Sequence, residues 1–362
     1  MSLEDYALAF QQQIRAFREK LDLESKSRAS GEDRISELPN AVLCHILSFI
    51  PSTKDVVRTS VLSTRWKDIW AYVPNLYFKD DEFSSSADFM AFVDRVLLVR
   101  DSSAIQRFHL HFNNCHAKDF SRVNGWISTA VSCNVVEIDL SIDTAVRRNV
   151  EELDNPIDLE EDDVDELDYR IDLEEDDMLE YPIKEDDAMF ELPISLLTCK
   201  TLKVLSLRSM IIINMPTSAC NCFPRLEFLH IHFTVMNPRS TVCMDLFHFP
   251  VLEYLSIDGD LGFNLLDFSI SAPELKTLRI DLYSSDDLHD MYNFSIDAPK
   301  LEKLDLHMGF LSNFNFKSTK SLVEAKIDLH MHHNEKYVKQ ESVDRATEFL
   351  AEFSMVKYLS FT

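Results

Sequence analysis

Residues 223–232 read FPRLEFLHIH, and the same phrase returns as FPVLEYLSID at 249–258, APELKTLRID at 272–281 and APKLEKLDLH at 298–307. In each copy a leucine follows the proline by two positions, and two further apolar residues then alternate with polar ones. Together with a copy that begins at Leu202, successive first leucines stand 24, 26, 23 and 26 residues apart. A short alternating segment buries little surface alone, so the pattern indicates units that stack on one another.

The phrase Leu-x-x-Leu-x-Leu at a period of about 20 to 29 residues is typical of leucine-rich repeats. Each Leu-x-Leu supplies two inward side chains of a short strand, and the leading leucine fills the bend before it. Stacked strands of this kind form a parallel sheet in a curved solenoid. Weaker copies begin at Ile105, Val135, Leu322 and Val356. We therefore predict an α/β protein whose parallel sheet runs through most of the chain.

A helical period replaces the strand period in residues 33–78. Apolar residues at three- and four-residue steps predict one face of a first helix, which ends at Pro51; they are Val42, Leu43, Ile46, Leu47 and Ile50. Residues 52–55 offer an N-cap for a second helix, and a third follows around Trp66. Three short helices bury little by themselves, so this unit needs a partner or an attached domain.

Three segments carry a resemblance to a known family. Residues 33–51, DRISELPNAVLCHILSFIP, resemble the opening of a plant F-box, and residues 60–70, SVLSTRWKDIW, are similar to its close. Residues 190–205, FELPISLLTCKTLKVL, are similar to a phrase of plant F-box/LRR proteins of the FBD type. The resemblance implies a three-helix F-box followed by the repeat array.

The resemblance also implies a function. An F-box binds a Skp-type adaptor, which connects the receptor to a cullin and a RING subunit, while the repeats hold a protein target for ubiquitination. The chain would then be a substrate-recognition subunit of an SCF-type ubiquitin ligase and not itself an enzyme. The residues that the resemblance assigns to adaptor binding are Leu38, Pro39, Leu43, Ile46, Leu47, Ile50, Pro51, Val57, Val61, Leu62 and Trp66. We expect about half of them only to hold the small domain together.

Two departures from the family pattern keep an alternative open. Asn40-Ala41 stand where family members often have Asp-Glu, and the chain stops at Thr362 without the full C-terminal FBD region. The alternative is a non-ligase repeat scaffold with a degenerate F-box. Capture of a Skp-type adaptor would separate the two hypotheses.

The formal net charge of −26 is concentrated in one segment. Residues 151–187 contain 20 acidic and 2 basic side chains, and the phrase IDLEEDD occurs there twice, at 157–163 and 171–177. Like charges repel each other, so a disordered insertion in a repeat loop is favoured over a calcium loop, which needs a central glycine. The predicted divisions are a helical or flexible leader (1–32), the F-box (33–78), first irregular repeats (79–150), the acidic insertion (151–187) and the main array (188–362).

Composition argues against several other functions. The chain has 5 Gly, without the spacing of a phosphate-binding loop, and it lacks the basic clusters that nucleic acid requires. We find no signal peptide and no apolar run long enough for a membrane span. Seven cysteines in no regular framework predict reduced thiols and a nuclear or cytoplasmic protein. No cofactor is expected.

Two candidate metal sites are not favoured. Cys220, Cys222, Cys243 and His230 could be drawn as a zinc site, but no CxxC pair supports it. His330 and His332 would share one face of a strand, again without a matching set of ligands.

The target is expected to contact outward positions of the repeat strands. Aromatic and mixed-charge side chains at these positions suit a protein surface; the candidates are Arg208, Phe228, His230, His232, Tyr254, Arg279, Lys303 and His307. The alternative interpretation is that they only keep the sheet soluble.

Overall fold

The computed structural model describes residues 35, 37–100, 104–144, 190–208, 211–212, 222–233, 244–260, 266–283, 292–309, 313–317, 320–330, 353 and 356–361. The predicted leader (1–32) and acidic insertion (151–187) lie outside these residues. Within them, a helical N-terminal unit precedes a long, almost entirely parallel sheet. The α/β prediction is confirmed.

The N-terminal unit contains two short α-helices, α1 (Asn40–Leu47) and α2 (Thr53–Arg58). Ser52 caps α2, because its Oγ accepts a hydrogen bond from the backbone N–H of Asp55 at 3.4 Å. The third predicted helix is a 3-10 helix, Ile69–Tyr72, rather than an α-helix. A segment this short forms few hydrogen bonds for the residues it fixes, so the tighter 3-10 turn is common there.

Ten strands form the main sheet, and every neighbouring pair is parallel. In spatial order they are β1 (Asn75–Lys79), β2 (Arg107–Cys115), β3 (Glu137–Thr144), β5 (Val204–Arg208), β7 (Phe228–Phe233), β9 (Tyr254–Asp260), β11 (Thr277–Tyr283), β13 (Lys303–Gly309), β15 (Glu324–His330) and β16 (Tyr358–Phe361). The order follows the chain, as stacked repeats require.

The strand register aligns the repeat leucines into two buried columns. The first column contains Leu76, Phe108, Ile138, Leu205, Leu229, Leu255, Leu278, Leu304 and Ala325; the second contains Phe78, Leu110, Leu140, Leu207, Ile231, Ile257, Ile280, Leu306 and Ile327. Both the strong and the weak copies of the phrase therefore contribute to one continuous core. The repeat prediction is confirmed.

The elements that cover the core opposite the main sheet differ between the early and the late repeats. The early repeats cover it with helices, α3 (Ser86–Val99), α4 (Phe120–Ser132) and the short α5 (Ile194–Leu197). The later repeats cover it with a second parallel sheet of β8 (Met244–His248), β10 (Leu266–Ser271), β12 (Tyr292–Asp297) and β14 (Asn313–Phe316). Two short strands, β4 (Phe190–Glu191) and β6 (Ile211–Ile212), pair separately.

The residue before three of the repeat prolines, namely Phe249, Ala272 and Ala298, marks the turn from an outer strand to the main sheet. Phe223, Phe249, Ala272 and Ala298 are all buried. The carbonyl of Ala272 accepts from Leu275 N–H at 3.1 Å, and that of Ala298 accepts from Leu301 N–H at 3.1 Å. Proline has no N–H to continue an outer strand, which explains why the chain turns there.

Candidate functional site

The N-terminal unit has its own small core. Six side chains pack in it, namely Leu43, Leu47, Val56, Trp66, Ile69 and Val73. Arg65 fixes the start of α1, because its guanidinium donates to the Leu38 carbonyl and, at 3.2 Å, to Asn40 Oδ1. The small core therefore holds α1 against the turns that follow α2.

A second apolar stripe, along α1 and the turn after it, faces outward. Val42, Ile46 and Phe49 recur at helical spacing and are 40%, 43% and 73% exposed. Leu62, in the turn that leads to Arg65, is 50% exposed. We call Val42, Ile46, Phe49 and Leu62 the docking patch. Large apolar side chains gathered on so small a unit are typical of a protein contact.

Hydrogen bonds join the N-terminal unit to the first repeat. Asn75 Nδ2 donates to the Ser48 carbonyl at 3.1 Å, and Ser52 Oγ donates to Glu82 Oε2 at 2.8 Å. The Lys54 ammonium donates to the Glu82 carbonyl and lies 4.2 Å from the centre of the Phe83 ring. Val57 and Trp70 pack against the repeat core. The unit and the repeats therefore form one packed body.

The face of the main sheet turned away from the core carries the side chains that alternate with the buried columns. We call it the open face. Because neighbouring strands are in register, these side chains form rows across the sheet. One row runs Tyr77, His109, Asp139, Ser206, His230, Ser256, Arg279, Asp305 and Lys326; a second, nearer the carboxyl ends, runs Lys79, His111, Ser141, Arg208, His232, Asp258, Asp281, His307 and Asp328.

Two similar histidine–carboxylate clusters lie on the open face. His230 Nε2 lies 2.5 Å from Asp258 Oδ1, and His232 Nδ1 lies 2.6 Å from Asp258 Oδ2. Burial opposes the ionisation of Asp258, but the bonds from both histidines outweigh burial and lower the pKa of this carboxyl.

The second cluster repeats this arrangement three strands nearer the N-terminus. His109 Nδ1 lies 3.4 Å, and His111 Nε2 3.8 Å, from Asp139 Oδ2. Burial again opposes ionisation, and the two histidines again outweigh it, so the pKa of Asp139 lies far below its usual range. The carboxylates of Asp139 and Asp258 are therefore ionised, and each already contacts two histidines.

An aromatic pair lies at the middle of the open face. The rings of Phe228 and Tyr254 are stacked, with centroids 4.5 Å apart and planes 4° from parallel. Their strands, β7 and β9, are the fifth and sixth of the ten. Both side chains are half-buried, so the pair is a firmly held apolar platform.

Comparisons with known proteins agree with this architecture. A model of the F-box domain matches residues 35–78, and a model described as FBD-associated F-box protein At5g56370, LRR repeats, matches residues 170–327. F-box/LRR-repeat protein At4g14103 of Arabidopsis thaliana is 30% identical over 346 residues, which cover 91% of this chain and 78% of that protein. The chain belongs to the plant F-box/LRR-repeat family.

Other relatives are longer than this chain. F-box/LRR-repeat protein At3g59200 of Arabidopsis thaliana is 30% identical over 355 residues, 91% of this chain and 59% of its own length. F-box/FBD/LRR-repeat protein At1g78750 of Arabidopsis thaliana is 28% identical over 320 residues, 84% of this chain and 60% of its own length. The chain thus spans about three fifths of these two relatives. No solved structure matches the chain.

The structure separates the residues that the family resemblance assigned to adaptor binding. Leu43, Leu47, Val61 and Trp66 are buried, as expected of the part of the set that only holds the small domain together; adaptor binding by the set stays a prediction. Leu38 and Ile50 are half-buried against the F-box core, and Val57 packs on the repeat core. Pro39, Ile46, Pro51 and Leu62 are exposed.

The physical reason is that α1 carries two adjacent apolar stripes. Positions 43, 47 and 50 face the F-box core, whereas positions 42, 46 and 49 face outward. The sequence alone assigns the apolar residues of the first helix to a single face. The predicted contact residues do not include Val42 and Phe49. Each stripe repeats at steps of four and then three residues, and this double pattern is the signal that two faces are present.

All eight residues predicted to bind the target lie on the open face. Arg208, His230, His232, Arg279 and His307 belong to the two rows given above, whereas Phe228, Tyr254 and Lys303 form part of a third row nearer the strand starts. Their contact with a target stays a prediction. The prediction missed His109, His111 and Asp139, although the His-x-His spacing on β2 repeats that on β7.

Among the described residues, no group of three or more histidine, cysteine or acidic side chains is placed to hold a metal ion. Cys220 and Cys243 of the considered zinc site lie outside the described residues, as does His332. No helix in the described ranges is long and apolar enough to cross a membrane.

Proposed function

We propose that this F-box/LRR protein is a substrate-recognition subunit of an SCF-type ubiquitin ligase. The docking patch binds a Skp-type adaptor, which brings in the cullin and the RING subunit, and the open face binds a protein target for ubiquitination. The chain itself performs no chemistry. We place it in the nucleus or cytoplasm, a proposal supported by the absence of disulfides among the described cysteines.

The exposed apolar stripe of α1 is the observation that carries this proposal. Burial of Val42, Ile46 and Phe49 in a partner would remove large apolar side chains from water, which drives association. The neighbouring stripe holds the F-box core, so the exposed residues are available without unfolding it. A small helical unit with one spare face is suited to a single protein partner.

The relation between the two surfaces also fits a receptor subunit. A ligase must hold its target at a workable distance from the transferred ubiquitin, and a flexible joint would weaken that control. Here Asn75 of the first repeat strand bonds to Ser48 of the F-box, and Ser52 and Lys54 of the F-box bond to Glu82 in the turn after that strand. These contacts hold the F-box against the repeats that carry the open face.

Capture of a purified plant Skp-type adaptor on the immobilised full chain tests the proposal. Ile46→Asp introduces a charge into the docking patch and is expected to abolish capture. Leu98→Asp is the matched control, since Leu98 is 85% exposed but lies on a repeat helix; this variant should capture the adaptor normally. Equal capture by both variants would contradict the assigned patch.

The degenerate-F-box scaffold is the second candidate, favoured by Asn40-Ala41 in place of the usual acidic pair. Under that hypothesis the folded wild-type chain captures no adaptor. The double substitution Asn40→Asp, Ala41→Glu then restores capture. Capture by the wild-type chain would reject the scaffold hypothesis.

A further inference from the structure

Most charged side chains of the open face are already paired within the protein. Arg107 contacts Glu137 at 3.0 Å, Arg279 contacts Asp281 at 3.0 Å, and Lys303 contacts Glu324 at 3.4 Å. Asp139 and Asp258 are each held by two histidines. A partner that offered cations to this face would have to compete with these contacts.

Two cations of the open face differ from the rest. Among the described residues, Arg208 and Lys79 are exposed lysine or arginine side chains of this face with neither a hydrogen bond nor an ion pair. The only interaction of Arg208 with the described residues is a longer-range attraction between its charge and Asp139, which helps to lower the pKa of that carboxyl. Both lie in the row nearest the carboxyl ends of the strands, three strands apart.

Arg208 shares its part of the sheet with the aromatic platform. It lies on β5 with Val204, which is in register with Phe228 of the stacked pair. Ser206 lies between Val204 and Arg208, and its buried Oγ has no hydrogen-bond partner among the described residues. Four residues of strand separate the platform from Arg208, a distance of about 13 Å.

We propose that the open face recognises a target segment that presents an aromatic side chain and, about four residues away in an extended chain, an aspartate or glutamate. The aromatic side chain stacks on Phe228 and Tyr254, and the carboxylate pairs with Arg208. This inference rests on the proposed function and specifies the chemistry of its target. Such a segment gains a stacking contact and a charge-assisted bond without breaking an existing ion pair.

The geometry favours a carboxylate-bearing protein segment over a nucleic acid. A nucleic acid needs several cations along its backbone, and the described open face offers one free cation beside the platform. Ser206, between Val204 and Arg208 on β5, has a small side chain, which leaves room for an extended backbone to pass between the two anchors. The two anchors therefore also set the direction of the segment along β5 and β7.

Selection from a phage library of random twelve-residue peptides on the full chain provides the probe. Enriched peptides should share an aromatic residue and an acidic residue that stand four positions apart in the sequence, with three residues between them. One such peptide is then synthesised with a fluorescent label in three forms, carrying glutamate, glutamine or phosphoserine at the acidic position. Fluorescence anisotropy should give about tenfold weaker binding, or more, for the glutamine form.

Variants of the protein assign the contact. Arg208→Glu should weaken binding of the glutamate peptide at least tenfold, and Phe228→Ala should do likewise. Lys79→Glu is the control, because it makes the same change of charge in the same row but away from the platform. It should leave the affinity for the glutamate peptide within about twofold of the wild-type value. Thermal unfolding of each variant shows whether it is folded.

Several outcomes would overturn the inference. They are the lack of any enriched peptide, enriched peptides without an acidic residue, equal binding by Arg208→Glu, or binding of the phosphoserine form alone. Adaptor capture is measured on the same samples. Capture without peptide recognition leaves the F-box proposal standing, whereas recognition without capture leaves only the target inference standing.

Discussion

The backbone N–H of Tyr77 donates a 2.8 Å hydrogen bond to Oγ1 of Thr53. Tyr77 lies on β1, at the edge of the ten-stranded sheet, and its ring contacts His109 on the open face with a centroid distance of 4.6 Å. Thr53 begins α2 of the F-box and is 2% exposed. The F-box thus covers an edge strand that would otherwise offer unpaired backbone groups to another chain.

Replacement of Thr53 by valine tests this connection. Valine keeps the shape of threonine but leaves the Tyr77 N–H without its acceptor, so the free energy of unfolding should fall by about 1 to 3 kcal/mol. Chemical denaturation measures the loss, and hydrogen exchange at the Tyr77 amide should accelerate. Thr64→Val, at an exposed position, is the control and should change little. Unchanged exchange at Tyr77 would show that the bond does not hold the junction.

The two stripes of α1 predict opposite effects of truncation. Leu43 is fully buried, so Leu43→Ala should cost about 2 to 5 kcal/mol of unfolding free energy. Ile46 is 43% exposed, so Ile46→Ala should cost less than about 1 kcal/mol while weakening adaptor capture. Denaturation and capture are measured on both variants. A large stability loss for Ile46→Ala would place that residue in the core instead.

The repeat sheet could be predicted from the sequence, because its signal is periodic. Leu205 and Leu229 take equivalent positions on neighbouring strands, as the spacing of their phrases requires. The outer sheet was not predicted, since its phrase is shorter and less regular. The copies FSISAP and FSIDAP, in which Phe268 and Phe294 stand 26 residues apart, were the available signal. Those two rings stack at 4.7 Å.

The contact surfaces were less predictable than the fold. Apolar spacing identified α1, but it could not say which stripe the F-box core would cover, since that depends on how Trp66 and Ile69 pack. The open-face side chains followed from strand alternation, so Phe228 and Arg279 were placed correctly. Their partners on neighbouring strands required the register, which a single sequence does not contain.

Asn40 gives a prediction about the first turn of α1. Asn40→Asp would place a carboxylate next to the positive end of the helix dipole and near Arg65, whose Nη2 already lies 3.2 Å from Asn40 Oδ1. The free energy of unfolding should therefore rise by about 0.5 to 1 kcal/mol. A double-mutant cycle with Arg65→Gln separates the two causes. If the gain persists fully without Arg65, the helix dipole alone accounts for it.

The histidine pair around Asp258 predicts a pH dependence of stability. The folded-state pKa of this carboxyl lies below its usual value of 3.8. A lowered folded pKa contributes stability that is present above the unfolded pKa and is lost as the pH falls through the folded pKa. Asp258→Asn removes that contribution at every pH. The stability difference between wild type and variant should therefore shrink as the pH falls below about 4.

Denaturation midpoints between pH 3 and 7 measure this difference. Asp81→Asn is the matched control, because Asp81 is exposed and lies outside the open-face clusters; its difference from wild type should stay near zero throughout. Removing both histidines, as His230→Gln with His232→Gln, should raise the pKa of Asp258 and move the loss of stability toward higher pH. A pH profile unchanged by that double substitution would mean that the two histidines do not set the pKa of Asp258.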